Sequence, residues 1–133
     1  METLYDLKVA DVMHNRLWDL PLVEKSAPIK MVLIILTTRG YVWVVDTRDD
    51  MNIVGVITEH DVLNFLDTLN KDMRAEDLAR KDVIACRKHD SIAHILEQIR
   101  THNVRRIPVV EGKKLVGEIT LRHLIEKVYS RLP

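Results

Sequence analysis

The stretch RRIPVVEGKKLVGEIT, residues Arg105 to Thr120, predicts two short β-strands joined by a tight turn at the glycine. An earlier stretch, YVWVVDTRDDMNIVGVIT from Tyr41 to Thr58, has the same pattern with a longer loop. A helix-like segment precedes each stretch, PIKMVLIILTTRG in the first case and SIAHILEQIRTHN in the second. The opening turns ADVM and EDLA, which begin at Ala10 and Glu76, also align. Because the pieces recur in the same order, about 62 to 66 residues apart, the chain contains an internal duplication.

Local patterns give each copy an opening strand, a helix, two strands and a closing helix. In the second copy, apolar residues at i, i+3, i+4 and i+7 from Ile92 to Ile99 predict an amphipathic helix, with Ser91 as its N-cap. The corresponding segment of the first copy, Pro28 to Thr38, is apolar nearly all round, which predicts burial on both sides. Leu17–Leu20 is the expected opening strand of the first copy. The two closing helices are expected to be lined by Val62, Leu63, Leu66 and Leu69 and by Leu121, Leu124, Ile125 and Val128.

These elements predict an α/β or α+β fold. Two βαββα units would be related by a pseudo-two-fold axis, each with a small three-stranded sheet flanked by helices. The expected domains are residues 7–70 and 76–133. Each is too short for an ample core of its own, whereas a packed pair has a cleft whose two ends are lined by equivalent residues.

Composition excludes several classes of partner. The 20 basic and 20 acidic residues cancel, so there is no basic surplus of the kind that nucleic-acid or anionic-membrane binding requires. The apolar stretch Met31–Leu36 is too short to span a bilayer, and the start METLYDLK does not resemble a signal peptide. The single cysteine, Cys86, is expected to be buried in its apolar surroundings. Because one cysteine cannot form an internal disulfide, a reducing cytoplasm is the expected compartment.

The turn GVITEHD, Gly55 to Asp61, lies where the second strand passes into the closing helix. Backbone N–H groups at a helix start suit a phosphate, and the Thr58 hydroxyl adds a donor there. The Asp61 carboxylate could accept hydrogen bonds from the two hydroxyls of a ribose, and Gly55 lets a ligand or a neighbouring backbone approach closely. The tetrapeptide Thr58-x-x-Asp61 alone also fits a capping box, in which these side chains satisfy the helix itself.

With their ADVM opening, their RRIPVVEGKKLVGEIT core and their GVITEHD turn, the two copies resemble cystathionine β-synthase (CBS) domains. The whole chain, from about Leu7 to Leu132, resembles a tandem CBS pair, or Bateman module. The resemblance implies a non-catalytic regulatory module that binds AMP, ADP, ATP or S-adenosylmethionine, forms a homodimer and reports to a separate regulated protein. The nucleotide-binding residues it implies, with Thr58 on phosphate and Asp61 on ribose, are Thr58, Asp61, Gly55, Ile57, His60, Val42, Trp43, Val44, Leu17 and Trp18.

The second copy departs from this pattern, since its turn keeps Gly117 and Thr120 but has His123 in place of the acid. We therefore expect a weaker second site formed by Thr120, His123, Arg122, Arg106 and Pro108. Arg105, Arg106 and Arg122 could offer charge to a phosphate or form a solvated face. Trp43 stands at the position of Pro108, and it and Trp18 could each stack on a purine or serve as core aromatics.

Nothing in the sequence predicts catalysis or a metal centre. The six histidines form no H-x₃-H or H-E-x-x-H pair, and no phosphate-binding loop or nucleophile motif is present. The expectation is a protein without enzymatic activity, without a cofactor beyond its regulatory nucleotide. The alternative is a structural or dimerisation module with degenerate pockets, which regulates a partner without a ligand and associates through the apolar helices near Phe65, Leu66 and Ile125.

Overall fold

The computed structural model describes residues 4–132. Residues 1–3 and Pro133, the last residue of the expected second domain, lie outside the described residues. The strands are β1 Leu22–Glu24, β2 Tyr41–Val45, β3 Ile53–Thr58, β4 Arg106–Glu111 and β5 Lys114–Thr120. The α-helices are α1 Ile29–Arg39, α2 Glu59–Leu63, α3 Ala75–Leu78, α4 Ile92–His102 and α5 Leu121–Arg131. Three-residue 3₁₀ helices lie at Leu4–Asp6, Val9–Asp11 and Leu17–Asp19. The predicted α+β class, with small sheets flanked by helices, is confirmed.

The first sheet has the order β1-β2-β3, with β1 parallel and β3 antiparallel to β2. Its opening strand is not Leu17–Leu20, as expected, but β1, which begins two residues after Leu20. The prediction was wrong because the core takes up Leu22 and Val23, which are 5% and 1% exposed. Pairing with β2 begins where the Trp43 amide donates to the Pro21 carbonyl at 2.8 Å.

The second sheet consists of β4 and β5, and its third strand is reduced to one parallel bridge between Cys86 and Val109. Two hydrogen bonds hold this bridge: the Cys86 amide donates to the Pro108 carbonyl at 3.0 Å, and the Val110 amide donates to the Cys86 carbonyl at 2.9 Å. Cys86 is 3% exposed, which confirms its expected burial. Burial, with a smaller contribution from Asp90, raises the pKa of its thiol to about 12. Cys86 is therefore a neutral core side chain.

The helices follow the predicted positions with two corrections. Helix α1 buries Ile29, Val32 and Leu36, but Ile34 is 59% exposed, so the expected burial on both sides is wrong. Ser91 caps α4 as predicted, accepting from the His94 amide at 3.1 Å. The first closing helix ends at Leu63, and residues 64–68 continue as turns rather than as the predicted helix to Leu69. Its counterpart α5 runs for 11 residues.

The structure divides into two compact units. One, which we call the Asp61 unit, contains residues 19–83 and 113–115; the other, the His123 unit, contains residues 4–18, 84–112 and 116–132. Each unit has its own core: Val32, Val42, Val44 and Ile57 are central to the first, and Ile92, Ile107, Val109 and Ile119 to the second.

The compact units exchange the opening segments of the two sequence copies. Residues 7–18 open the first copy yet belong to the His123 unit, and residues 75–83 contain the opening of the second copy yet belong to the Asp61 unit. In the former, the Val9 amide donates to the Asp90 carbonyl at 2.8 Å; in the latter, the Ala75 amide donates to the Ala27 carbonyl at 2.9 Å. The expected domains 7–70 and 76–133 follow the sequence copies and remain a prediction.

Candidate functional site

The turn from β3 into α2 places Thr58 and Asp61 in a reciprocal capping box. The Thr58 hydroxyl accepts from the Asp61 amide at 3.3 Å, and Asp61 Oδ2 accepts from the Thr58 amide at 2.9 Å. Asp61 Oδ2 also accepts from the Thr58 hydroxyl at 3.0 Å. The capping interpretation is therefore confirmed, with an aspartate in the place where glutamate or glutamine is usual. The side chain of Asp61 is only 14% exposed, so its charge is held close to the protein interior.

Arg80 is the ionic partner of Asp61, and sequence reasoning missed it. Its Nε lies 3.3 Å from Asp61 Oδ1, and its side chain is 46% exposed. The backbone of Arg80 is fixed by two hydrogen bonds with Val56, at 2.9 and 3.0 Å, so the guanidinium extends from a defined position. A signal was available, because Arg80 directly follows the aligned opening turn EDLA, just as His14 follows ADVM.

Gly55 makes room for this approach of the Arg80 backbone. An added Cβ at Gly55 would lie 2.5 Å from the Arg80 carbonyl oxygen, a distance that real Cβ atoms do not show. Of the two roles expected for Gly55, close approach of a neighbouring backbone is the one that the structure displays.

The turn from β5 into α5 repeats this geometry with different chemistry. The Thr120 hydroxyl accepts from the His123 amide at 3.2 Å, and His123 Nδ1 accepts from the Thr120 amide at 3.1 Å. Because Nδ1 accepts, the neutral ring carries its proton on Nε2. The imidazole of His14 lies beside it, with ring centroids 5.7 Å apart. An added Cβ at Gly117 would lie 2.6 Å from the His14 carbonyl oxygen, so His14 occupies the place that Arg80 has in the other turn.

The surroundings of His123 favour its neutral form. Burial lowers the pKa of His123; Arg122 and His14 lower it further, while Glu118 and Glu126 oppose them. Among the described residues, Glu118 is the one buried residue with an ionisable acidic or basic side chain at 2% exposure. A neutral imidazole can replace the cap function of a carboxylate, because both supply an acceptor, but it brings no negative charge to the turn.

The remaining predicted residues divide by burial. Val42, Val44 and Ile57 are 0% exposed and Trp43 is 1% exposed, with its indole in an edge-to-face contact with Tyr41 at 5.6 Å. Trp43 thus offers no ring face to a ligand in this structure and serves as a core aromatic. His60 is exposed on α2. Leu17 and Trp18 belong to the His123 unit rather than to the unit that holds Asp61, and Trp18 is 85% exposed.

The expected second-site residues all belong to the His123 unit. Arg122 is exposed and pairs with Glu126 at 3.6 Å, which fits a solvated face. Arg106 is half-buried at the start of β4, and Pro108 lies in the middle of that strand, where its carbonyl accepts from Cys86. Arg105 is exposed.

Two further properties concern the described residues as a whole. Within residues 4–132, His, Cys, Asp and Glu side chains form no group of three or more that could hold a metal ion. None of the helices in the described range combines the length and the apolar character that crossing a membrane requires.

Two small α+β units, each passing from a strand into a helix through a capped G-x-x-T turn, are the repeated element of this chain. The CBS domain family matches residues 9–68 and 75–130, and the chain belongs to this family.

The chain resembles parts of several larger proteins. A homoserine O-acetyltransferase from Methanosphaera stadtmanae is 28% identical over 127 residues, which are 93% of this chain and 24% of that protein. The human 5'-AMP-activated protein kinase subunit gamma-3 is 25% identical over 118 residues, 81% of this chain and 24% of that protein. The chain spans under half the length of three of the curated relatives it matches: 37%, 24% and 43%.

Solved structures share the fold over nearly the whole chain. The structure of CBSX2 in complex with AMP has a TM-score of 0.80 at 24% identity and covers 93% of this chain and 97% of that chain. The CBS domain of a bacterial CNNM/CorC family Mg²⁺ transporter in complex with ATP has a TM-score of 0.78 at 20% identity, with 97% and 92% coverage. At these identities the likeness concerns the fold.

Proposed function

We propose that this protein is a non-catalytic regulatory module that binds an adenine nucleotide at the Asp61 turn. The observation that carries the proposal is a largely buried carboxylate, 14% exposed, at the start of a helix beside a cation and a threonine hydroxyl. The carboxylate suits a ribose, because it accepts hydrogen bonds from hydroxyls. The cation and the threonine hydroxyl suit a phosphate, because N–H and O–H donors bind phosphate oxygens. CBS pairs solved with AMP and with ATP support the choice of ligand class.

The proposed site comprises Thr58, Asp61 and Gly55, together with Val42 and Val44 of β2 and Ile57 of β3. Because the side chains of these three strand residues are buried, their contribution to a ligand would come from backbone groups. The His123 turn is the weaker site of the proposal, since it lacks the carboxylate. The bound ligand is AMP, ADP or ATP, with S-adenosylmethionine as the further adenosyl candidate.

As a sensor, the protein would work in a reducing compartment such as the cytoplasm and report to a separate regulated protein. Ligand binding shifts an equilibrium only when the ligand prefers one conformation, so the partner must distinguish the occupied module from the empty one. The relation to the gamma subunit of a protein kinase supports a regulatory assignment.

Calorimetry with AMP, ADP, ATP and S-adenosylmethionine tests the proposal, together with mass spectrometry of small molecules retained in native purification. Wild type should bind at least one of them, and Asp61→Asn should lose about 100-fold in affinity, because a partly buried, hydrogen-bonded charge is removed. Asp90→Asn is the matched control, since Asp90 also accepts from a backbone amide three residues before it, at 2.8 Å. Absence of binding to all four ligands at millimolar concentration would exclude a sensor of this kind.

A second candidate function, a dimerisation module that needs no ligand, is favoured by apolar side chains on the outside of α5. On this helix Ile125 is 60% and Tyr129 78% exposed. Apolar side chains so placed are typical of surfaces that pack against another copy. Sedimentation of wild type and Ile125→Glu decides whether a homodimer forms through this face; a dimer that survives the substitution would exclude it.

A further inference from the structure

The Asp61 carboxylate has little acceptor capacity left in the present structure. A carboxylate offers about four lone-pair directions. Two interactions with Thr58, from its amide at 2.9 Å and its hydroxyl at 3.0 Å, engage Oδ2, and Arg80 Nε lies 3.3 Å from Oδ1. A ribose brings two hydroxyl donors. Asp61 can accept hydrogen bonds from both hydroxyls only when either Thr58 or Arg80 releases one of its present contacts.

Arg80 is the partner best able to move. The Thr58 amide is part of the backbone and of the helix cap, and losing the cap would destabilise α2. The Arg80 side chain is long and 46% exposed, and its contact with Asp61 is the longest of the three. Its backbone stays fixed by the pairing with Val56, so the guanidinium can swing while its Cα remains in place.

Resting on the function proposed above, we propose that Arg80 determines ligand specificity. Its guanidinium leaves Asp61 and binds the ligand phosphate, and the vacated carboxylate oxygen accepts a hydrogen bond from a ribose hydroxyl. The guanidinium keeps an anionic partner in this exchange, since the ligand phosphate replaces the Asp61 carboxylate. Guanidinium groups bind phosphate in bidentate fashion, so the new contact is at least as favourable as the old one. A neutral nucleoside offers no replacement anion and must break the ion pair uncompensated.

The exchange predicts a preference for phosphorylated ribonucleosides. AMP should bind more tightly than adenosine, and S-adenosylmethionine, whose sulfonium is cationic, should bind less tightly than AMP. The cause of this preference is the contact of Arg80 with the phosphate rather than the overall charge of the unit. Arg74, six residues before Arg80, is the matched control because it is also exposed and makes a 3.5 Å contact to the Ser26 carbonyl rather than to Asp61.

The test is calorimetric titration of AMP and adenosine into wild type, Arg80→Gln, Arg80→Lys and Arg74→Gln. In Arg80→Gln, AMP affinity should fall about tenfold, the loss of one charge-assisted contact, while adenosine affinity stays equal or rises. Arg80→Lys should keep part of the AMP preference, because it keeps the charge without the bidentate geometry. Arg74→Gln should behave as wild type.

The outcomes separate the two proposals. If wild type binds AMP but Arg80→Gln keeps the same ratio of AMP to adenosine affinity, the role of Arg80 is wrong and nucleotide binding stands. An equal loss in Arg74→Gln also overturns the role of Arg80, because the effect is then general electrostatics. If wild type binds neither AMP nor adenosine, this inference fails along with nucleotide binding at the Asp61 turn.

Discussion

The Asp61 turn and the His123 turn have the same backbone arrangement but different charges: the first contains an ion pair and the second a pair of imidazoles. Each begins with a threonine whose hydroxyl accepts from the amide three residues on, and each is approached by an opening-segment backbone across a glycine. At the Asp61 turn, however, a carboxylate faces a guanidinium at 3.3 Å, whereas at the His123 turn two imidazoles lie with centroids 5.7 Å apart.

This difference separates what the fold requires from what a ligand requires. The fold needs an acceptor at the third helical position, and both aspartate and histidine provide one. A ribose-binding role needs a negatively charged acceptor with an oxygen that can be vacated for the ribose hydroxyls, and His123 provides neither. The duplication has therefore preserved the cap in both turns, while the charged pair is present in only one of them.

The largest expected effect comes from building the Asp61 chemistry into the other turn. The double variant His123→Asp/His14→Arg should bind a second equivalent of AMP, with an affinity about 100-fold above that of the native His123 turn, because it restores the ion pair beside the cap. Calorimetric stoichiometry is the measurement. His123→Asp alone is the control, and a double variant that still binds only as many equivalents as wild type would show that more than these two residues separate the turns.

Next in size are the two glycines that admit the opening segments. Gly55→Ala and Gly117→Ala should each lower the free energy of unfolding by about 2 kcal/mol, because the added methyl group collides with backbone. Chemical denaturation measures this. Gly112→Asn is the control: no atom lies within 4 Å of an added Cβ there, and asparagine tolerates the φ of +61°. Equal losses in all three would refute the close-approach explanation.

Removal of the caps should have a smaller effect that is alike in both turns. Thr58→Ala and Thr120→Ala should each cost about 1 kcal/mol of unfolding free energy, the usual contribution of a threonine N-cap. Thr→Ser at the same positions keeps the hydroxyl and should cost less. Thermal denaturation of the four variants checks the equivalence; a much larger loss at one turn would mean that the shared geometry is not equally important.

The smallest expected effect is a pH dependence confined to the His123 turn. The pKa of His123 is lowered in the folded protein, so the unfolded chain binds its proton more readily. The stability contribution of neutral His123 is therefore complete above the unfolded pKa, about 6.5, and is lost as the pH falls through that value towards the folded pKa.

His123→Gln should accordingly lose less unfolding free energy than wild type between about pH 7.5 and pH 5.5. Denaturant titrations at several pH values measure the slope. His60→Gln, at an exposed position of α2, serves as the control and should keep the wild-type slope. If the slope is unchanged in His123→Gln, groups other than His123 cause the loss of stability at low pH.

The sequence allowed the family, the α+β class and most element positions to be predicted, because each depends on local patterns that the duplication states twice. Ser91 as a cap and Cys86 as a buried side chain follow from such patterns. The predicted position of the opening strand was wrong because the burial of Leu22 and Val23 depends on tertiary packing. Exposure of Ile34 on α1 likewise depends on which elements pack nearby, which an apolar run cannot show.

At the candidate site, sequence predicted Thr58 and Asp61 but not Arg80. The cap is a local interaction over three residues, whereas Arg80 reaches Asp61 through pairing of its backbone with Val56. That pairing depends on the exchange of opening segments, which no pattern within one copy reveals. For the same reason the contact between His14 and His123 could not be foreseen, although both residues occupy aligned positions.

The exchanged opening segments also determine the order in which the protein can assemble on the ribosome. The Arg80 amide finds its Val56 partner soon after synthesis, but the His14 amide must wait about 100 residues for the Glu118 carbonyl. Most of the Asp61 unit is therefore available to fold first, while the His123 unit closes later, because its segments lie on both sides of residues 19–83 in the sequence. Deletion of residues 4–18 or of residues 116–132 would consequently damage the same half of the structure.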